Sequence, residues 1–189
     1  MTEWIGNIDA YILLFIQEAV RNPFLTPVVK TITMLGDGAI FWVVVSLTLT
    51  AFPKTRKAGI TSLLALVVSL FINNIILKNV VGRIRPYEMI EGLVPLIEKP
   101  GDFSFPSGHT GSSFASAWVF HRRLKGWIGY TALILAGLIG LSRLYLGVHY
   151  PTDVLFGVMS GILCGCIADF IVRKLDAGIL HKMKKAVDK

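Results

Sequence analysis

Long apolar runs separated by short polar segments make up most of the chain. Each of the five main runs approaches the about 20 residues that a helix needs to cross a bilayer, and the runs cover residues 38–52, 58–77, 109–123, 127–146 and 151–172. The alternation of apolar and polar residues that marks a half-buried strand does not compete with these runs. We therefore predict an all-α, polytopic membrane helix bundle with five transmembrane helices.

Residues 5–36 show a weaker pattern. An apolar stripe at helical spacing is interrupted on its other side by charged residues, and Pro23 and Pro27 then break the pattern. We predict one or two interfacial helices along the membrane surface within residues 1–37, with a sixth transmembrane helix as the alternative. Residues 38–172 are then the transmembrane core and residues 173–189 a basic cytoplasmic tail of one membrane-embedded domain.

The composition also favours a membrane protein. Apolar residues make up 53% of the chain and charged residues 16%, against about 25% charged residues in an ordinary soluble domain, and the mean hydropathy is +0.64. The net charge of +7 would suit a nucleic-acid partner, but the basic residues concentrate between the apolar runs. We expect membrane lipids, and no nucleic acid, as partners.

Basic clusters follow the first, third and fifth apolar runs, at residues 54–57, 122–125 and 173–189. Cytoplasmic loops of membrane proteins carry an excess of Lys and Arg. We therefore predict that these clusters lie on the cytoplasmic side of the cell (plasma) membrane. The loops at residues 79–108 and 147–150 then face the extracytoplasmic side.

A second set of basic residues lies at the predicted outward end of the bundle and breaks this charge rule. The same end carries two histidines and an acidic residue, so that the set comprises Lys78, Arg83, Arg85, Arg143, His109, His149 and Asp153. Cations and histidines brought to one face by separate segments indicate a site for an anion, and phosphate is the natural candidate.

Each segment also has a purely structural interpretation. Pro106-Ser107-Gly108-His109 opens a helix whose free N–H groups can bind an anion or simply form a cap. Asp153 follows His149 by four residues, close enough to accept a hydrogen bond from the ring, as a catalytic or a structural pair. Lys78 could be a snorkelling end of a helix. For Arg83, contact with a lipid headgroup and plain solvation remain equal alternatives.

Taken together, the segments are far more specific than any one alone. A Lys followed after six residues by Arg-Pro spans Lys78 to Pro86, Pro-Ser-Gly-His spans 106–109, and Ser-Arg with the later His and Asp spans 142–153. In these motifs the chain resembles the type 2 phosphatidic acid phosphatase superfamily, which includes membrane lipid phosphatases and vanadium haloperoxidases. No motif position departs from the family pattern.

The resemblance implies a mechanism and its residues. His149 attacks phosphorus in line and forms a phosphohistidine, Asp153 orients His149, and His109 protonates the leaving lipid oxygen. The phosphoryl oxygens are held by cationic and helix-start groups, namely Lys78, Arg85, Ser107, Gly108 and Arg143. We expect no metal ion and no other cofactor, since these fixed cations can balance the charge of phosphoryl transfer.

The resemblance favours a lipid phosphate as substrate, either phosphatidylglycerol phosphate or phosphatidic acid. Undecaprenyl diphosphate is the alternative, although dedicated enzymes of that group tend to carry Asp where Gly108 stands and to lack the Lys seen at Lys78. More remote alternatives are a vanadium-dependent oxidase and a non-catalytic lipid-binding or transport protein. The sequence leaves the oligomeric state open.

Overall fold

The computed structural model describes the backbone of residues 2–187 and the side chains of residues 6–178, and this part of the chain is helical without strands. In chain order the α-helices are α1 (Thr2–Phe15), α2 (Leu25–Met34), α3 (Ile40–Ala51), α4 (Arg56–Ser69), α5 (Lys78–Val81), α6 (Pro86–Met89), α7 (Gly108–Arg123), α8 (Ile128–Tyr145) and α9 (Pro151–Val187). The predicted all-α class is confirmed.

Two π-helical segments and one 3-10 turn complete these helices. Ile16–Val20 continues α1, and Leu70–Leu77 joins α4 to α5 in one long helical rod. The 3-10 turn Asp37–Ala39 lies between α2 and α3. The basic stretch predicted as a separate tail continues α9 to Val187, and its side chains beyond residue 178 lie outside the described part of the chain.

Helix α7 is the centre of the bundle and packs against α4, α8 and α9. Its inward residues are small, so that neighbouring backbones can approach closely. A Cβ on Gly161 of α9 would stand 2.5 Å from the carbonyl oxygen of Gly111 on α7. Trp42 of α3 donates its indole N–H to Ser113 Oγ at 2.9 Å. The buried position explains why α7 is much less apolar than the helices around it.

Within the described residues, three helical segments are long and apolar enough to cross a membrane: Arg56–Met89, Ile128–Tyr145 and Pro151–Gly178. They include three of the five predicted runs. A fourth span is possible if Leu25–Met34 and Asp37–Ala51, which meet at a bend of 46°, form one broken span. The predicted run at 109–123 forms α7, which has 16 residues and is not one of these spans. The total of five spans therefore stays a prediction.

The N-terminal segment forms the two helices α1 and α2, and their predicted placement along the membrane surface stays a prediction. Leu13 of α1 is fully buried in a cluster with Leu93, Leu144 and Tyr150, which ties α1 to the junction of α8 and α9. Arg21, which lies between α1 and α2, fixes the chain there, because it donates to the carbonyl oxygens of Tyr145 and Val94. Helix α1 therefore lies at the end of the bundle that carries the predicted site.

Candidate active site

The predicted segments converge on one cavity of about 580 Å³. At its polar end the cavity is lined by residues of α5, α7 and α8 and of the loops between α5 and α9. These residues are Lys78, Arg85, Asp102, Gly108, His109, Arg143 and His149, with Asp37 from the α2–α3 bend. Six of the eight predicted site residues thus line one space. Asp153 lies directly behind His149, and Ser107 lies at the start of α7.

His149 occupies the loop between α8 and α9 and is buried, with 2% of its surface exposed. Its Nδ1 faces Asp153 Oδ2 at 3.5 Å, which is longer than a normal hydrogen bond. Its Nε2 faces the Arg85 guanidinium at 3.4 Å. Burial, with the added effect of Arg143 and Arg85, lowers the pKa of His149 to about 3 against the opposing effect of Asp153. The imidazole is therefore neutral at neutral pH, as a nucleophile requires.

Asp153 is held from several sides although it is completely buried. Its Oδ2 accepts hydrogen bonds from Ser104 Oγ at 2.5 Å and from the Tyr150 N–H at 3.0 Å. Its Oδ1 pairs with Arg83 at 2.6 Å. The buried carboxylate is thus compensated by hydrogen bonds and by one cation, as a buried charge must be.

Of the two alternatives for Arg83, the structure excludes plain solvation, and contact with a lipid headgroup stays a prediction. Its guanidinium pairs with Asp153 at 2.6 Å and with Asp9 at 2.8 Å, so it is not a solvated loop residue. Its ring neighbour is Tyr150, whose centroid lies 3.7 Å from the guanidinium carbon. Asp9 comes from α1, and the sequence pattern, in which it interrupts the polar side of the helix, did not indicate that it reaches the site.

Asp102 pairs with two of the predicted phosphate ligands. Its carboxylate lies against the Lys78 ammonium, and Oδ1 accepts from Arg85 at 2.5 Å. Partial burial raises the pKa of Asp102, but the ion pairs with Lys78 and Arg85 outweigh this effect and lower the pKa to about 2. Both cations are buried, whereas 54% of the Asp102 side chain is exposed. Asp102 is therefore the anion that neutralises Lys78 and Arg85 in this structure.

Arg143 is the third cation of the site and comes from the last turn of α8. Its Nη1 donates to Thr33 Oγ1 of α2 at 2.7 Å. In the described part of the chain, its buried Nε has no hydrogen-bond partner. Arg143 lines the cavity, so that its guanidinium adds positive charge there.

His109 lies in the first turn of α7 and is oriented by the α2–α3 bend. Its Nε2 lies 2.7 Å from Asp37 Oδ1. Gly36 permits this approach, because a Cβ there would stand 2.6 Å from His109 Cδ2. The carboxylate fixes the orientation of the imidazole ring at the edge of the cavity. Asp37 was not predicted, since it lies in a bend without helical periodicity.

Ser107 and Gly108 differ in their access to the cavity. Ser107 is buried, and its Oγ caps α7 by accepting from the Thr110 backbone N–H at 3.5 Å. The same Oγ accepts a hydrogen bond from the Thr110 hydroxyl at 2.9 Å. Its backbone N–H donates to the carbonyl oxygen of Asp153 at 3.2 Å. Gly108 lines the cavity beside Asn74. Contact of Ser107 with a phosphate stays a prediction, whereas the geometry gives Gly108 open access.

The opposite end of the cavity is apolar. It is lined by side chains of α3, of α4 and of the π-helical segment that follows it, namely Val43, Leu63, Leu66, Val67 and Leu70. Val67 and Leu70 are also exposed on the outer face of the bundle, at 62% and 55% of their surface. The cavity thus continues from a cationic end onto an apolar helix surface.

Comparison with known proteins agrees with this arrangement. The sequence profile of the PAP2 superfamily matches residues 58–175. The chain is 33% identical to an undecaprenyl-diphosphatase of Sulfolobus acidocaldarius over 64% of its own length, and the match spans 58% of that protein, less than two thirds of its length. It is 32% identical to phosphatidylglycerophosphatase B of Bacillus subtilis, over 88% of this chain and 82% of that protein.

A solved structure shows the same architecture. The crystal structure of Aquifex aeolicus LpxE superposes with a TM-score of 0.74 at 30% identity, over 84% of this chain and 92% of that chain. The apolar spans and these relatives make the chain a multi-pass integral membrane protein. With the family profile covering more than half of its residues, the chain belongs to the PAP2 superfamily.

Proposed function

We propose that this protein removes the terminal phosphate from a glycerophospholipid phosphate, either phosphatidylglycerol phosphate or phosphatidic acid, at the extracytoplasmic face of the membrane. Its family and its relatives make it a phosphatase. The observation that carries the proposal is the two-ended cavity, with cations and histidines at one end and Val67 and Leu70 at the other. A phosphate with an apolar tail fits such a space, because the phosphate then contacts the cations and the tail contacts the apolar side chains.

The chemistry proceeds in two steps. His149 Nε2 attacks the phosphorus, the bond from phosphorus to the lipid oxygen breaks, and His109 gives that oxygen a proton. Water then attacks the phosphohistidine, His109 takes up the water proton, and inorganic phosphate leaves with His149 restored. Lys78, Arg85 and Arg143 hold the phosphoryl oxygens throughout and offset the charge of the transition state.

The choice of Nε2 as the attacking atom follows from the orientation of the ring. Asp153 faces Nδ1, so that the Nδ1 proton points toward the carboxylate and the lone pair lies on Nε2. Nε2 in turn faces Arg85, which lines the cavity. Asp153 also offsets the positive charge that His149 gains on becoming phosphorylated.

The extracytoplasmic placement rests on the charge pattern of the loops. The basic clusters at 54–57 and 122–125 lie at the opposite ends of their helices from Lys78 and His109. With these clusters inside, the cavity opens at the outer leaflet.

A second candidate substrate is undecaprenyl diphosphate, and the similarity to the Sulfolobus acidocaldarius undecaprenyl-diphosphatase favours it. Its chemistry at the site is the same, since the terminal phosphoryl group is again transferred to histidine and then to water. Only the leaving group and the apolar tail differ.

The test is phosphate release by the purified protein in detergent with EDTA present. Phosphatidylglycerol phosphate, phosphatidic acid and undecaprenyl diphosphate are offered in parallel, and the relative kcat/KM values rank them. His149→Ala should abolish release, whereas His121→Ala, a histidine at the far end of α7, should not. Absence of release from all three lipids by folded protein would rule out the phosphatase proposal, and the transport or scaffold alternative would replace it.

A further inference from the structure

Arg83 connects the catalytic region to the N-terminal helix. Its Nη1 donates to Asp153 Oδ1 at 2.6 Å, and its Nη2 donates to Asp9 Oδ2 at 2.8 Å. Asp153 is completely buried and Asp9 is 1% exposed, so the guanidinium lies between two buried carboxylates. Neither Asp9 nor Arg83 belongs to the motifs on which the resemblance to the superfamily rests.

Asp9 is fixed by donors from the start of α9 as well as by Arg83. Its Oδ1 accepts from the Thr152 backbone N–H at 3.1 Å, and its Oδ2 accepts from the Thr152 hydroxyl at 2.5 Å. Thr152 lies in the first turn of α9, where free N–H groups and the helix dipole favour a negative charge. Asp9 is therefore held in one position relative to α9, the helix that also carries Asp153.

The Arg83 guanidinium has little freedom to move. Thr152 Oγ1 accepts a hydrogen bond from Nη1 at 2.7 Å, and the Tyr150 ring stacks against the guanidinium with 3.7 Å between its centroid and the carbon. A fixed Nη1 donor on Asp153 Oδ1 restricts the rotation of that carboxylate. Ser104 and the Tyr150 N–H hold the other oxygen, Oδ2, which faces His149 Nδ1.

We propose that Arg83 and Asp9 are positioning residues that hold Asp153 in the orientation His149 needs, so that helix α1 forms part of the active site. This inference rests on the proposed histidine mechanism. Asp9 acts through Arg83, since its charge offsets the guanidinium and leaves the charge of Asp153 available to His149. Neither residue lines the cavity that holds His109 and His149.

The alternative is that the Asp9–Arg83 pair only attaches α1 to the bundle. Arg21 provides the matched control for that alternative. It attaches the chain after α1 to the carbonyl oxygens of Tyr145 and Val94, and within the described residues it donates to no carboxylate of the site. Arg21→Gln removes an attachment of the N-terminal segment without touching Asp153.

The experiment compares Asp9→Asn, Arg83→Gln, their double variant and Arg21→Gln. We expect kcat to fall about tenfold in Asp9→Asn and about 100-fold in Arg83→Gln, because small displacements of reacting groups cost up to that factor. KM should stay within about twofold, since the substrate contacts are intact. The double variant should lose no more than Arg83→Gln, because coupled residues are not additive.

Inhibition constants separate positioning from general damage. Orthovanadate can take the five-coordinate geometry of the transition state, whereas inorganic phosphate resembles the bound ground state. The Ki for vanadate should rise with the loss in kcat, while the Ki for phosphate stays unchanged. Arg21→Gln should leave the ratio of the two constants unchanged even where its melting temperature falls. If Arg83→Gln does not fold, the ratio is measured in Arg83→Lys instead, which keeps the positive charge but loses the planar guanidinium.

Two outcomes would overturn the inference. The first is a ratio of the vanadate Ki to the phosphate Ki that stays at the wild-type value in Asp9→Asn and Arg83→Gln. The second is a change of this ratio in Arg21→Gln equal to the change in those two variants. A wild-type protein that releases no phosphate would instead reject the proposed function, so the two failures are distinguishable.

Discussion

Asp102 should weaken the binding of phosphate, although it lies in the middle of the predicted phosphate site. Its carboxylate pairs with Lys78 and Arg85, both of which are buried. A phosphoryl group that is to reach these cations has to displace the carboxylate first. We therefore predict that Asp102→Asn lowers both the KM for the lipid phosphate and the Ki for inorganic phosphate.

The magnitude follows from the exposure of the carboxylate. Because 54% of the Asp102 side chain is exposed, each of its two ion pairs is worth about 0.5 kcal/mol rather than the larger value of a buried pair. Their loss of about 1 kcal/mol corresponds to about fivefold in affinity. The substitution keeps the size of the side chain and a carbonyl oxygen, so kcat should change little.

The effect should not depend on pH in the usual assay range. The pKa of Asp102 in the folded protein is lowered to about 2, against about 3.9 in the unfolded chain. A lowered carboxyl pKa stabilises the fold fully above the unfolded value, and the contribution is lost only as pH falls from about 4 toward 2. Asp102 is therefore ionised, and in competition with substrate, at any pH between 5 and 9 that an assay would use.

The assay is competitive inhibition by inorganic phosphate, with thermal unfolding measured in parallel. Asp102→Asn should melt at a lower temperature than wild type without ligand and should gain more from added phosphate, since its two cations then recover an anion. Glu98→Gln is the control, because it removes the same charge from an exposed position of the same loop. An unchanged or higher Ki for inorganic phosphate in Asp102→Asn would refute displacement of the carboxylate.

Three further changes test other parts of the site. Asp37→Asn should lower kcat about tenfold with little effect on stability, because it removes the carboxylate beside His109, the proposed general acid. Unchanged phosphate release would exclude a role for Asp37. Gly161→Ala should destabilise the protein by about 1–3 kcal/mol, because its Cβ meets the Gly111 carbonyl oxygen at 2.5 Å; thermal unfolding in detergent measures this, and a wild-type melting temperature would contradict the packing of α7 on α9. Val67→Trp should slow hydrolysis of long-chain phosphatidic acid but not of p-nitrophenyl phosphate, since it fills only the apolar end of the cavity; equal losses on both substrates would argue against a tail at Val67.

The residues that the sequence could predict lie at the ends of the predicted membrane helices. Lys78, His109 and Arg143 each lie in a terminal turn of a helix, and the membrane requires those ends to share one level. Their convergence therefore follows from the hydropathy pattern together with the alternation of basic loops. The same reasoning gave the all-α class, but it could not decide the number of spans, because α7 is shielded by its neighbours and need not be apolar.

The acidic partners could not be predicted because they come from distant segments without a strong pattern. Asp9 lies 74 residues from Arg83, and Asp37 lies 72 residues from His109. Asp102 lies in the irregular loop before α7, 24 residues from Lys78. No local periodicity fixes the position of such residues, and only tertiary packing brings them to their partners. In the sequence they look like ordinary polar interruptions or loop residues.

The acidic partners explain how a cationic site can exist without its ligand. A buried cation without a counter-ion is costly, so Lys78 and Arg85 need an anion whether or not substrate is present. A carboxylate carries a single negative charge, whereas a terminal phosphate carries about −1.5 to −2 near neutral pH. A phosphodiester, with one negative charge, has no electrostatic advantage over Asp102. Displacement of Asp102 therefore favours a terminal phosphate over the singly charged diester of an ordinary phospholipid, and the carboxylate that weakens binding also makes binding selective.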